Sequence, residues 1–531
     1  MRRALMRRPL ALAVATVSVV TTLAAVPGSA SAATGTLTVV TLGRDGSAVD
    51  ARLSIIDTKT QAFQVMSSGK AATLPKGTYS VLTDIFNAKD YTDTMAGVTV
   101  NVSGTTKITL DARKGQPLKV AWSPAASGGS QTLQAAVCYG DGSGEQFAMG
   151  WNTPGRVYLI PNTSKDFSLA TMLTWFPDGA ATLVEPLPVY VALTGTSTLP
   201  ANFTRTISRS GLTAVTLGLR NGPVNGANTD VHMGPTGGCA KSLDADVSVN
   251  STPTRQRVYL SPGSWDYEVE ANRSAAVGAL YQITRTYSAG KTYGQVFFDA
   301  AWGPGPGLPG VQDKDLSFDT STMFTDPAFS RHQPMLFDSQ AVVTLRHGTT
   351  LLATVHRNSY DASHPSVFRY RLPASGWYSL SVDAHRARPG VTYPAGMLSP
   401  RTTLSMRFHA DPAKEEVPKV FAVLMSCGNL TLWNQATPGS TTHVTLTLAR
   451  EAQFILIPAP KLVATYLKSL TAQASFDGGK TWRTLKVTGS GSKWTAQVPN
   501  PTSGAVTLRT TVTSTTGDSS VTTIYRAYAI A

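Results

Sequence analysis

Apolar residues in this chain recur at every second position, in short runs broken by Gly, Pro and Asp. Thr36-Leu37-Thr38-Val39-Val40-Thr41-Leu42 is one such run, Val98-Thr99-Val100-Asn101-Val102 another and Tyr378-Ser379-Leu380-Ser381-Val382 a third. A period of two sends successive side chains to opposite faces of an extended backbone, so each run buries one face of a strand. No stretch after the first 32 residues combines a 3.6-residue period with helix caps. With 42% hydrophobic residues the chain can bury real cores, while charged residues are only 15%, against roughly 25% in an average domain. Gly 45 and Pro 32 supply turns at the matching frequency. The expected fold class is all-β: tandem β-sandwich domains, with a helical enzyme disfavoured.

Residues 1–32 read as a secretory signal. Arg2, Arg3, Arg7 and Arg8 precede an apolar run from Leu10 to Val26, and Ala30-Ser31-Ala32 fits the small-residue cleavage pattern. Thr16, Ser18, Thr21 and Thr22 interrupt the run, which favours a cleaved signal over a membrane anchor. The expected product is secreted, extracellular and associated with the cell wall, with no membrane span after cleavage. Its formal charge is +14 less the four signal arginines, or +10. That charge suits an anionic wall polymer. Nucleic acid is not expected, because Lys and Arg are scattered singly.

At about 150 residues per domain the length suggests three or four domains. Strand and turn spacing places a first sandwich at 34–116 and a middle β region at 117–304, either one large sandwich or two small ones. A linker or long turn comes next at 303–310, where Gly and Pro alternate. Another sandwich is expected at 311–455 and a fibronectin-III-like module at 456–531. Leu74-Pro75-Lys76-Gly77-Thr78-Tyr79 is echoed by Leu260-Ser261-Pro262-Gly263-Ser264-Trp265 and, loosely, by Leu372-Pro373-Ala374-Ser375-Gly376-Trp377-Tyr378. Each reads as a strand end, a turn and an aromatic entering the next strand, as in a common sandwich hairpin.

Three cysteines, Cys138, Cys239 and Cys427, exclude a disulfide-stapled miniature fold. If one bridge forms, Cys138 and Cys239 are the expected pair and Cys427 stays free. Fragments around Asp57, Ser197 and His347 resemble pieces of a subtilisin triad, but they fall in three separate β units and in the order Asp, Ser, His. A triad needs its three groups in one site, so no catalytic residue is assigned. Ser475-Phe476-Asp477-Gly478-Gly479-Lys480-Thr481-Trp482 fits a single Asp-box, whose role is structural. Asp313, Asp315 and Asp319 offer calcium-type oxygens without the Gly and Glu of an EF-hand loop. No metal and no cofactor are assigned. Flat aromatics can stack on sugar faces, and Trp302 and Trp433, both in loop-like sequence, are the candidates for ligand stacking.

These residues together resemble a known family. The first unit, with Leu74-Pro75-Lys76-Gly77-Thr78-Tyr79 and the exit Leu110-Asp111-Ala112-Arg113-Lys114-Gly115-Gln116-Pro117, is similar to a carboxypeptidase-regulatory-like sandwich. Thr344-Leu345-Arg346-His347-Gly348, Tyr370-Arg371-Leu372-Pro373 and the segment from Asp477 to Tyr528 resemble the modules downstream of that sandwich in large secreted bacterial subtilisin-like serine peptidases. The likeness is to the non-catalytic C-terminal region of those enzymes. In those enzymes a protease domain precedes this region, and here a signal is expected in its place. The resemblance implies a secreted accessory or binding protein that recognises an extracellular protein, peptide or wall polymer. The alternatives are a degenerate or cryptic hydrolase and a structural surface component.

Overall fold

The computed structural model describes residues 33–140, 147–178, 186–221, 228–249, 253–274, 277–328, 335–336, 338–361, 363, 365–452 and 466–531. The signal-like residues 1–32 lie outside them. Among the described residues the chain is built from strands with four short 3₁₀ turns, and no helix is long and apolar enough to cross a membrane.

The first sandwich pairs a three-stranded sheet with a six-stranded one. Thr34–Leu42 is central in the first, between Ala71–Pro75 and Thr105–Asp111. Its alternation is realised directly: Leu37 and Val39 are fully buried and meet Ile55, Val81 and Ile85 of the facing sheet. That second sheet does not end at the expected boundary. Val157–Leu159, from the middle region, pairs in parallel with Thr92–Val102, and Gln116–Pro117 pairs with it in turn.

The middle region contributes a seven-stranded sheet and four strands of a five-stranded one. The seven-stranded sheet runs from Phe147–Asn152 at one edge, through Ser130–Tyr139, to Thr292–Phe297 at the other. Its two faces pack on different partners. Ala136, Cys138 and Met172 pack on Val231, Val247 and Trp265 of a five-stranded sheet. Leu133, Ala135, Val137 and Leu169 pack with Trp122 and with Leu82 and Met95 of the first sandwich. A Cys138–Cys239 disulfide, with Cα atoms 5.6 Å apart, ties the seven-stranded sheet to the 3₁₀ turn Gly238–Ser242.

The Pro/Gly segment is not a linker. Residues 297–311 are all buried, and the segment threads between the large units. Glycine is there for close approach: a Cβ on Gly303 would sit 2.3 Å from Ile524 Cδ1, and one on Gly305 2.7 Å from Thr325 Oγ1. A polar node beside it closes three units together. The Asn434 amide donates to the Asn221 and Phe298 carbonyls, both at 2.9 Å, and its oxygen accepts from Ala300 N at 3.2 Å and Arg220 Nη1 at 3.3 Å. Asp299 meets Arg220 at 2.5 Å, accepts from Ser426 Oγ at 2.9 Å and donates its backbone N–H to Asp326 at the same distance. These bonds give backbone groups of the irregular strap the partners they need to stay buried.

The last two expected units share their sheets, and the boundary expected at 455 lies outside the described residues. Ala422–Cys427 and Thr441–Ala449 form a four-stranded sheet with Lys493–Pro499 and Lys486–Ser490, so they belong to the terminal sandwich. The other sheet is continuous across both units, because Arg401–Ala410 pairs with Ser519–Ile530, Thr402 opposite Ile524. Alternation specifies a strand but not its partner, and these partners lie more than a hundred residues apart.

The echoed turns share one hydrogen bond. Tyr79 donates its hydroxyl to the Pro75 carbonyl at 2.7 Å, Trp265 its indole N–H to Ser261 at 2.9 Å, and Tyr378 its hydroxyl to Ala374. In each case the aromatic is buried, comes two residues after a glycine and bonds four residues back.

Candidate functional site

The hairpin of Gly77–Asn87 and Thr92–Val102 reaches over the edge strand Phe147–Asn152 of the seven-stranded sheet. Its register sets Asp84 opposite Met95 and Phe86 opposite Asp93, so the two acids are diagonal neighbours on one face. Tyr91, at the tip, adopts the left-handed conformation with φ 51°. Its ring meets Phe86 edge to face at 6.3 Å. Asn152 of the edge strand donates to Tyr91 O at 2.6 Å and to Asp93 Oδ2 at 2.9 Å, while Arg156 donates to Asp90 O at 2.6 Å. The tip is thus tied to the neighbouring unit rather than free.

Between them lies a cleft of about 500 Å³, lined by Asp84, Phe86, Tyr91, Asp93, Met149 and Trp151 among others. A second hollow, lined by Asp50, Arg52, Phe86 and Phe147, adjoins it and shares Asp84 and Met149. Trp151 is 67% exposed, Tyr91 61%, Phe86 43% and Met149 39%, an unusual clustering of large apolar side chains in solvent. Gly150 makes the approach of the two units possible, because a Cβ there would stand 2.8 Å from Met95 Sδ and 2.9 Å from Asp84 Oδ1.

The acids are not ordinary surface carboxylates. Burial, then the charge of Asp93 and the hydrogen bond they share, pushes the Asp84 carboxyl up to about 8. Burial also raises Asp93, opposed by hydrogen bonds from Asn152 and Asp84. Asp84 Oδ1 is shielded from solvent and has no hydrogen-bond partner. The arrangement offers flat apolar faces for stacking and carboxyl oxygens for hydrogen bonds within one concavity, the usual make-up of a binding site.

A second cluster lies on the outer side of the five-stranded sheet. His232 Nδ1 stands 2.5 Å from Asp246 Oδ1 and 3.7 Å from Asp244 Oδ2. Hydrogen bonds to Asp244 and Asp246 push the imidazole up to about 10, so it is a cation at neutral pH. Three ligand-type atoms fall within 4.8 Å of one another, and this is the one such group among the described residues. As a satisfied His⁺–carboxylate cluster it accounts for itself.

The residues singled out in the sequence are placed differently. Trp302 is fully buried, which removes it as a stacking platform: the Pro/Gly segment that carries it is core. Trp433 is 52% exposed on the turn ahead of Asn434, but it borders neither hollow described above. Asp57 caps its own turn, accepting from Lys59 N at 2.8 Å and Thr60 N at 2.9 Å. The His347 ring stacks on Tyr378 at 4.6 Å. Asp319 accepts from Ser321 N at 2.9 Å as a cap. Asp477 binds Lys480 N and Thr481 N, both at 3.0 Å, and Arg509 lies 3.7 Å over the Trp482 ring, so the Asp-box is a structural turn. The cleft residues carried one sequence signal: Asp84 interrupts the apolar run Val81-Leu82-Thr83-Asp84-Ile85-Phe86.

No protein-family model matches the chain, and no curated protein matches it. Among solved structures, the Bacillus anthracis TIE protein is 10% identical over 70% of this chain and 67% of its own, with a TM-score of 0.13. The Streptococcal ancillary pilin is 12% identical over 49% of this chain and 98% of its own, at 0.12. The chicken CNTN1 FN1–FN3 domains are 10% identical over 59% and 96%, at 0.14. All are multi-domain likenesses too loose to bear on function.

Proposed function

We propose that the protein is a secreted, non-catalytic binding protein, an appendage of the kind attached to subtilisin-like peptidases, that holds an extracellular ligand. The observation that carries this reading is the cleft between the Gly77–Asn87/Thr92–Val102 hairpin and Phe147–Asn152, where the exposed rings of Trp151, Tyr91 and Phe86 share one concavity with the carboxyl groups of Asp84 and Asp93. Three further features support it. The first 32 residues have the pattern of an export signal. The Cys138–Cys239 bridge suits an oxidising compartment. The sandwiches are fastened to one another, by the shared sheet and the Asn434 node, as a rigid support for a binding surface.

The test is retention. Protein purified from the medium is passed over isolated cell wall, insoluble polysaccharides and immobilised secreted proteins, alongside a Trp151→Ala variant. The reading expects retention on at least one matrix at physiological salt, lost in the variant. Equal behaviour of the two proteins on every matrix would remove the cleft from the function.

A further inference from the structure

Resting on that reading, we infer that the cleft takes an uncharged saccharide, with a sugar ring laid against Trp151 and Tyr91 and its hydroxyls bonded to Asp84 and Asp93. Two observations independent of each other lead there. The exposed rings of Trp151 and Tyr91 are apolar faces of the size of a sugar ring, whose axial C–H groups are attracted to the electron-rich face of an aromatic. The acid pair lines the same concavity and, hydrogen-bonded to each other, can both accept and donate. A polyol meets both requirements at once, since it carries C–H faces and hydroxyl edges.

Charge decides against the neighbouring ligand classes. An anionic polymer would bring its charge to Asp84 and Asp93. A basic peptide or a polymer of free amino sugars would complement that pair but must approach a chain whose formal charge, +14 less the four signal arginines, is still +10. An uncharged sugar chain is penalised by neither. A purely apolar segment would cover the rings but offer no hydrogen bond to the carboxyl groups of Asp84 and Asp93 that line the same cleft.

Calorimetric titration of the secreted chain with β-1,4-linked hexamers of glucose and of N-acetylglucosamine tests this. At least one hexamer should bind saturably, and binding should persist in about 0.5 M salt, since no ion pair is involved. Trp151→Ala and, separately, Tyr91→Ala should weaken it about tenfold or more, as loss of a stacking anchor does. Trp151→Tyr, which keeps a ring, should retain most of it. Unchanged melting temperatures show that the variants fold, as expected at exposed positions. Failure of both hexamers to bind overturns the inference, as does binding indifferent to Trp151→Ala and Tyr91→Ala. If neither hexamer binds but wall retention is still lost in Trp151→Ala, the cleft remains the binding site and only the saccharide assignment falls.

Discussion

Arg386 Nη2 and Asp338 Oδ2 form an ion pair at 2.8 Å, with 1% and 0% of the two side chains exposed. The pair closes the end of the strands Ser339–His347 and Gly376–Arg386, where Ser339 lies opposite Arg386 and Ala387 N donates to the Asp338 carbonyl at 2.9 Å. Removing one partner takes away the opposite charge that offsets the cost of burying the other. Asp338→Ala is therefore expected to cost about 3–5 kcal/mol. Replacing both by apolar residues of similar volume, as in Asp338→Leu with Arg386→Met, should cost markedly less than the single change. Urea unfolding of the three proteins checks this. A single variant within about 0.5 kcal/mol of wild type would mean that solvent reaches the pair.

Asn434 ties together carbonyls and amides from elements that are far apart in sequence, with all four of its bonding positions in use. Asn434→Ala removes all four bonds together. The expected loss is about 3–5 kcal/mol, beyond the usual range for a single hydrogen bond. Because the node joins the middle and terminal units, calorimetric unfolding should separate into resolved transitions. One sharp transition at the wild-type temperature would refute the node as a coupling point.

The extent to which this structure was legible in sequence depends on the range of each signal. Alternation is local, and strands such as Thr34–Leu42 and Gly376–Arg386 were readable from it, as was the all-β class. Pairing is non-local, so nothing in Ala422–Cys427 announced that it belongs with Thr441–Ala449 and Lys493–Pro499. The Gly/Pro segment misled because flexibility and close approach demand the same residues. Here Gly303 is glycine for want of space beside Ile524, not for freedom of motion. The cleft was hidden for a related reason. Asp84, Tyr91 and Trp151 come from two units, and only the docking of Gly150 against Met95 brings them together.

The shared turn predicts graded effects of one hydroxyl. Tyr79→Phe and Tyr378→Phe each delete the bond to a carbonyl four residues back while keeping the buried ring. Each is expected to cost about 1–2 kcal/mol in chemical denaturation. Gly376 has a separate role, and Gly376→Ala should cost more, because a Cβ there stands 2.3 Å from His347 Nε2. If the Phe variants match wild type, water replaces the lost bond and the echo is only a pattern of packing.

Asp84 makes stability depend on pH with a defined sign. Its carboxyl is raised from 3.8 to about 8 in the folded chain, chiefly by burial. Between those values the folded state holds a proton that the unfolded chain has released, so this contribution falls as pH rises through the window and levels off above it. Asp84→Asn keeps the shape and abolishes the titration. The stability of wild type relative to Asp84→Asn should therefore decline by about 2 kcal/mol or more from pH 5 to pH 9. A difference that is constant, or that grows with pH, would contradict the burial of this group. A bound saccharide that pairs with Asp84 should also shift the window, which titration with and without hexamer would reveal.

The cysteines offer the last test, because their chemistry is fixed by position. Cys138 and Cys239 close a loop with a sequence separation of 101, and they join the seven-stranded sheet to a turn packed on the facing sheet. Loss of the bridge by changing both residues to Ala should cost about 2–5 kcal/mol, through the larger freedom of the unfolded chain. Cys427 is fully enclosed, and burial together with the charge of Asp299 drives its thiol well above the ordinary range. Only the thiolate reacts readily, so native protein should consume no thiol reagent, denatured protein one equivalent, and reduced and denatured protein three. Rapid reaction of the native chain would mean that Cys427 is open to solvent and that the strap of residues 297–311 does not seal the junction it fills.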